Sequence, residues 1–127
     1  MTSVSKILLF NLFLLSLNPI HTESIKFGHD VHVVNNLPQN SPPLLIHCAS
    51  KDNDLGNHTL YMNNDFHWHF TVDPFGSTMF FCHFWWESKN KAFEVFNEDF
   101  YFRCLTCVWS VRADGFYLNV GGKQYSW

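Results

Sequence analysis

From Ile25 onward, hydrophobic and polar residues alternate with a period of two and almost nowhere with 3.6. The segment Phe66 to Val72 shows it most clearly: Phe66, Trp68, Phe70 and Val72 face one way, and His67, His69 and Thr71 the other, the signature of a half-buried strand. Similar runs predict strands over Asp30 to Asn35, Leu44 to Ala49, Thr59 to Met62, Thr78 to Trp86, Ala92 to Phe96, Cys104 to Val111 and Gly115 to Val120. Turn chemistry separates them: Asn35 to Pro38, Ser41 to Pro43, Asn53 to Gly56, Asp73 to Gly76, Ser88 to Asn90 and Ala113 to Gly115. Short, evenly spaced strands rich in aromatic and β-branched residues predict an all-β protein, an antiparallel sandwich or barrel, and the expectation settles on a small sandwich of about seven or eight strands in two sheets. The same parity turns Cys48 inward with Leu44 and Ile46, Cys82 with Phe80, Phe84 and Trp86, and Cys107 with Leu105, Trp109 and Val111. Phe81 and Trp85 fall on the opposite face from Cys82, so their strand either exposes them or is covered on both sides.

The first residues follow a different pattern. Lys6 precedes an apolar run from Ile7 to Leu17, which ends at Asn18-Pro19. That run is too short to cross a bilayer, and its layout is that of a secretory signal peptide. The expectation is a cleaved segment over 1–24, a single domain over 25–127, and an extracellular product without membrane insertion.

Composition narrows the function. Eight Lys+Arg against eleven Asp+Glu leave a formal charge of -3, so the basic footprint of a nucleic-acid binder is missing. With secretion expected, the even set Cys48, Cys82, Cys104 and Cys107 reads as two disulfides. Three connectivities are possible, and the sequence does not choose among them. The expectation leans toward different upstream partners for Cys104 and Cys107, because a bond between them closes a very short loop. A redox pair would need a βαβ setting, and a zinc knuckle a second pair; neither accompanies Cys104-Leu-Thr-Cys107.

His47-Cys48-Ala49-Ser50, the turn Asp52-Asn53-Asp54-Leu55-Gly56, Trp68-His69-Phe70, Phe81-Cys82 and Cys104-Leu-Thr-Cys107-Val-Trp109 before Asp114-Gly115 together resemble the plant self-incompatibility protein S1 family, the S-protein homologues. The resemblance spans nearly the whole expected mature chain. It implies a small secreted sandwich with two disulfides and no enzymatic activity. In the type member the protein is a stigma-secreted ligand that a pollen receptor recognises. A cell-surface receptor is therefore the expected partner and a monomer the expected state. The alternative is an extracellular polysaccharide-binding or defence module, with aromatics such as Trp85 stacking on sugar rings.

Other chemistry is weaker. His67 and His69 share a strand face, and a metal site there would need a third ligand such as His83 or His47; the preferred reading is a polar outer face with no metal and no cofactor. Asp52, Asn53 and Asp54 lack the calcium-loop pattern and read as a self-capping turn with Gly56 at positive φ. No nucleophile elbow or paired carboxylates suggest catalysis. Asn57-His58-Thr59 is a sequon, expected on a surface loop and expected to carry an N-glycan. Recognition is expected from the polar loops Lys51 to Asn57, Asp73 to Ser77, Glu87 to Lys91, Asn97 to Asp99 and Arg112 to Asp114.

Overall fold

The computed structural model describes residues 27–72 and 75–127, and the expected signal segment lies outside them. Among the described residues run nine strands: β1 (Phe27–Asn35), β2 (Leu44–Ser50), β3 (Asp54–Leu60), β4 (Asp65–Val72), β5 (Phe80–Trp86), β6 (Lys89–Phe96), β7 (Thr106–Arg112), β8 (Gly115–Leu118) and β9 (Gly122–Tyr125). They form a five-stranded sheet, ordered β4-β1-β7-β8-β9, and a four-stranded sheet, ordered β3-β2-β5-β6. The two-sheet, all-β, doubly disulfide-bonded architecture expected from the period-two pattern is therefore the observed one. One pairing departs from antiparallel: β1 and β7 run parallel, with Asp30 opposite Thr106 and Asn35 opposite Val111. Such distant segments need no hairpin to join them, so the antiparallel constraint of a tight turn does not apply.

The core follows from strand parity. Leu44, Ile46 and Cys48 of β2, Phe80, Cys82, Phe84 and Trp86 of β5, and Cys107, Trp109 and Val111 of β7 are all buried. Trp109 fills the centre, packing on Phe93 at 4.9 Å between ring centroids while its indole N–H donates to the Val95 carbonyl at 3.0 Å. Burying the ring with its one donor satisfied removes the usual cost of an internal indole.

Three expectations shift. Leu105 is 62% exposed instead of inward, because β7 begins only at Thr106. The third strand starts at Asp54, inside the turn expected over Asn53 to Gly56, and stops at Leu60, leaving Tyr61 and Met62 exposed. Its polar sequence carries little alternation to detect. The turn expected over Ser88 to Asn90 is instead Glu87-Ser88, with Glu87 at φ 55° and Lys89 already paired with Trp86.

The cysteine pairing also corrects the expectation. Cys48 bonds to Cys82, its cross-strand partner on β5, and Cys104 bonds to Cys107. The chain-entropy view makes the first worth about 4 kcal/mol and the second about 2 kcal/mol. The second bond therefore matters more for local shape than for overall stability.

Candidate functional site

At one end of the sandwich, where β2, β4 and β6 finish and β3, β5 and β7 start, three connections meet: 51–53, 75–79 and 97–105. Tyr101 joins the last two. Its hydroxyl accepts from the Thr78 backbone N–H at 3.0 Å and donates to the Gly76 carbonyl at 3.3 Å. Its own carbonyl accepts from Nε2 of the fully buried His29 on β1 at 2.9 Å. Upstream, Asn97 caps a 3-10 turn over Glu98–Phe100, its side-chain oxygen accepting from the Asp99 N–H at 2.9 Å. Downstream, the Asp30 N–H donates to the Leu105 carbonyl at 2.8 Å, and the Cys104–Cys107 bond closes the loop against β7.

The consequence is a loop anchored at several points, with some side chains buried and others held outward. Phe100, Tyr101 and Cys104 are buried, whereas Phe102 is 85% and Leu105 62% exposed, and Phe75 on the neighbouring connection is 90% exposed. A cleft of about 500 Å³ opens at the same end between Lys51 to Asn53 and Ser77 to Met79, with Phe70 and Phe80 in its lining. Phe75, Phe102 and Leu105 thus all sit on connections at one end of the sandwich, where exposed large apolar groups suit a contact surface.

The acidic turn at this end is structural, as expected. The Ser50 N–H donates to the Asn53 carbonyl at 2.7 Å, and Gly56 takes φ 83°. The Asp54 carboxylate accepts from the Gly56 N–H at 2.9 Å and from His47 Nε2 at 2.7 Å. The Gly56 bond first, then His47, hold its pKa below the usual value. Both bonds fall on Oδ1, which is thus committed to the turn.

The outer face of the four-stranded sheet carries a second apolar surface. Leu45 and Phe81 are exposed, and the half-buried Trp85 stacks on His83 at 3.9 Å between centroids. So the face carrying Phe81 and Trp85 is the solvent face of β5. Asn57 is exposed on the edge strand β3, not on the loop expected for the sequon, and lines a shallow depression of about 300 Å³ with Leu45, Thr59 and Trp85.

Of the histidines, His67 and His69 share the outer face of β4 as expected, but His47 and His83 lie on the other sheet and cannot join them. The register instead sets His32 of β1 opposite His67 and Asp30 opposite His69. Nδ1 of His32 donates to Asp65 at 2.8 Å, Nδ1 of His67 lies 3.6 Å from the same carboxylate, and Nδ1 of His69 donates to Asp30 at 3.0 Å. Pattern reading missed His32 and Asp65 because only strand register brings them beside His67.

Among the described residues no helix is long and apolar enough to cross a membrane. Residues 30–127 match the family model described as plant self-incompatibility protein S1. S-protein homolog 19 of Arabidopsis thaliana is 42% identical over 94 residues, covering 69% of this chain and 67% of that protein. S-protein homolog 5 of the same plant is 39% identical over 78 residues, 58% of this chain and 59% of that protein. S-protein homolog 24 is 44% identical over 75 residues, 57% of this chain and 49% of that protein. The aligned regions thus span about half to two thirds of these relatives. No solved structure matches the chain significantly. Sandwich, disulfides and family match converge, and the chain belongs to the plant self-incompatibility protein S1 family.

Proposed function

We propose that the protein is a secreted ligand recognised by a cell-surface receptor, acting by binding and not by turnover. The observation that carries this reading is the display of Phe102, between the buried Tyr101 and Cys104, and of Leu105, inside the loop closed by the Cys104–Cys107 bond. Interfaces place a desolvated, often aromatic centre inside a polar rim, and here the exposed Arg103, Glu98 and Asp99 lie on the same connection as Phe102. Secretion is supported by the signal layout of 1–24 and by two disulfides, which persist in oxidising compartments. Family membership supports pollen–pistil recognition as the setting.

The test is tissue-resolved. Oxidised, labelled mature protein is applied to plant cells, and saturable, trypsin-sensitive binding is measured together with cytosolic calcium. Binding confined to pollen tubes with a calcium rise supports a mating ligand. Binding to another cell type keeps the ligand and discards the mating role.

A second reading, a wall-binding module, is favoured by the outer-face aromatics, the exposed Phe81 and the half-buried Trp85. Retention on immobilised polysaccharide, abolished by Trp85→Ala, would establish it. We also propose an N-glycan on Asn57, whose exposed amide is accessible on an edge strand. An unchanged mass after glycosidase treatment of protein from a plant secretory pathway would refute that.

A further inference from the structure

We propose that His32, Asp65 and His67 form a binding site for a divalent transition-metal cation of the zinc type on the outer face of the five-stranded sheet. His32 and His67 are register partners on β1 and β4, and their rings stack at 4.8 Å between centroids and 21° between planes. Asp65 precedes His67 by two residues and so shares its face. Both imidazoles turn Nδ1 toward that carboxylate: His32 at 2.8 and 3.1 Å from its two oxygens, His67 at 3.6 Å from one of them. One donor atom from each of the three lies within 4.8 Å of the others.

Zinc bonds of about 2.0–2.2 Å to nitrogen and oxygen place tetrahedral donors roughly 3.3 Å apart. The three groups therefore need only small side-chain rotations to close on one ion. Two imidazoles and a carboxylate suit zinc or copper better than calcium or magnesium, which prefer all-oxygen shells. The cation would take the place of the proton between His32 and Asp65 and draw in His67, leaving a fourth position for water. Val34, opposite Asp65, and Val108, opposite His32, are half-buried on the same face and limit water on the β1 side of the cluster. Because β4 is an edge strand, the ion would clip it to β1. His69, committed to Asp30 at 3.0 Å, is the built-in control.

The experiment is calorimetric titration of tag-free, chelator-stripped, oxidised protein with zinc chloride at neutral pH. The expected result is one saturable site of micromolar affinity and a raised thermal midpoint. His32→Gln and His67→Gln should each weaken binding at least about ten-fold and lose the thermal shift, while His69→Gln leaves both unchanged. Cobalt(II) titration of wild type and Asp65→Asn gives an independent reading: a visible-region absorption band that the variant loses. Should a glutamine variant fail to show the wild-type near-UV dichroism, the Asp65→Asn titration decides the outcome. No saturable binding, equal affinity in the variants that fold, or loss of binding in His69→Gln would overturn the proposal.

Discussion

Asp54 shows how a single exposed side chain acts on this fold. The Gly56 N–H and His47 stabilise its ionised form, so its pKa is depressed below 3.8. A depressed carboxylate adds stability that is complete above its ordinary pKa and vanishes as pH falls through the lower, folded value. Asp54→Asn should therefore be less stable than wild type at neutral pH, with the gap closing below pH 3.8 and shrinking in high salt. Urea unfolding across that pH range checks it; a gap that widened in acid would contradict the assignment. Tyr101 makes a second residue-level case. Tyr101→Phe removes the bonds to Thr78 and Gly76, which should cost about 1 kcal/mol, and it should loosen the loop that presents Phe102. Faster hydrogen exchange at Thr78 than at Trp109 in the variant is the expected signature. The self-capping of the acidic turn was legible in the sequence, since Asp, Asn and Gly carry their turn chemistry locally. His29 was not, because its role depends on Tyr101, a residue 72 positions away.

At the scale of elements, the two disulfides do different work. Cys48–Cys82 ties the central strands β2 and β5 across a 34-residue separation, whereas Cys104–Cys107 spans three. Replacing the first pair with alanine should lower unfolding free energy by about 4 kcal/mol, and replacing the second by no more than about 2 kcal/mol. The second replacement should nonetheless impair partner binding more than it impairs stability. Denaturation and cell-binding curves on both double variants test this; equal damage to binding and stability from the second would make it merely structural. Strand parity put Cys48, Cys82 and Cys107 inward, which the fold bears out. It failed at Leu105, because a four-residue disulfide loop sets its own directions just ahead of β7. It also missed the start of β3, whose Asp, Gly and Asn residues form a strand only because β2 is there to pair with them.

For the whole molecule, what pattern reading could not supply was adjacency between distant segments. The parallel β1–β7 pairing and the β1–β4 register leave no mark in local periodicity, yet they place Leu105 against Asp30 and His32 against His67. The class of fold and the family were legible because alternation, cysteine order and the acidic turn are short-range features. The display surface was not, because exposure of Phe102 depends on Tyr101 and Cys104 being anchored elsewhere. The central claim is that this end of the sandwich is what a receptor reads. Phe102→Ser/Leu105→Ser tests it most directly, since substituting exposed residues should leave stability within about 0.5 kcal/mol of wild type. The measurement is saturable binding of the labelled double variant to responsive plant cells, with disulfides and unfolding midpoint verified as unchanged. The account predicts affinity at least about ten-fold weaker than wild type, the effect of removing one or more interface anchors. Equal binding by the two proteins would contradict it and move the recognition surface away from this end.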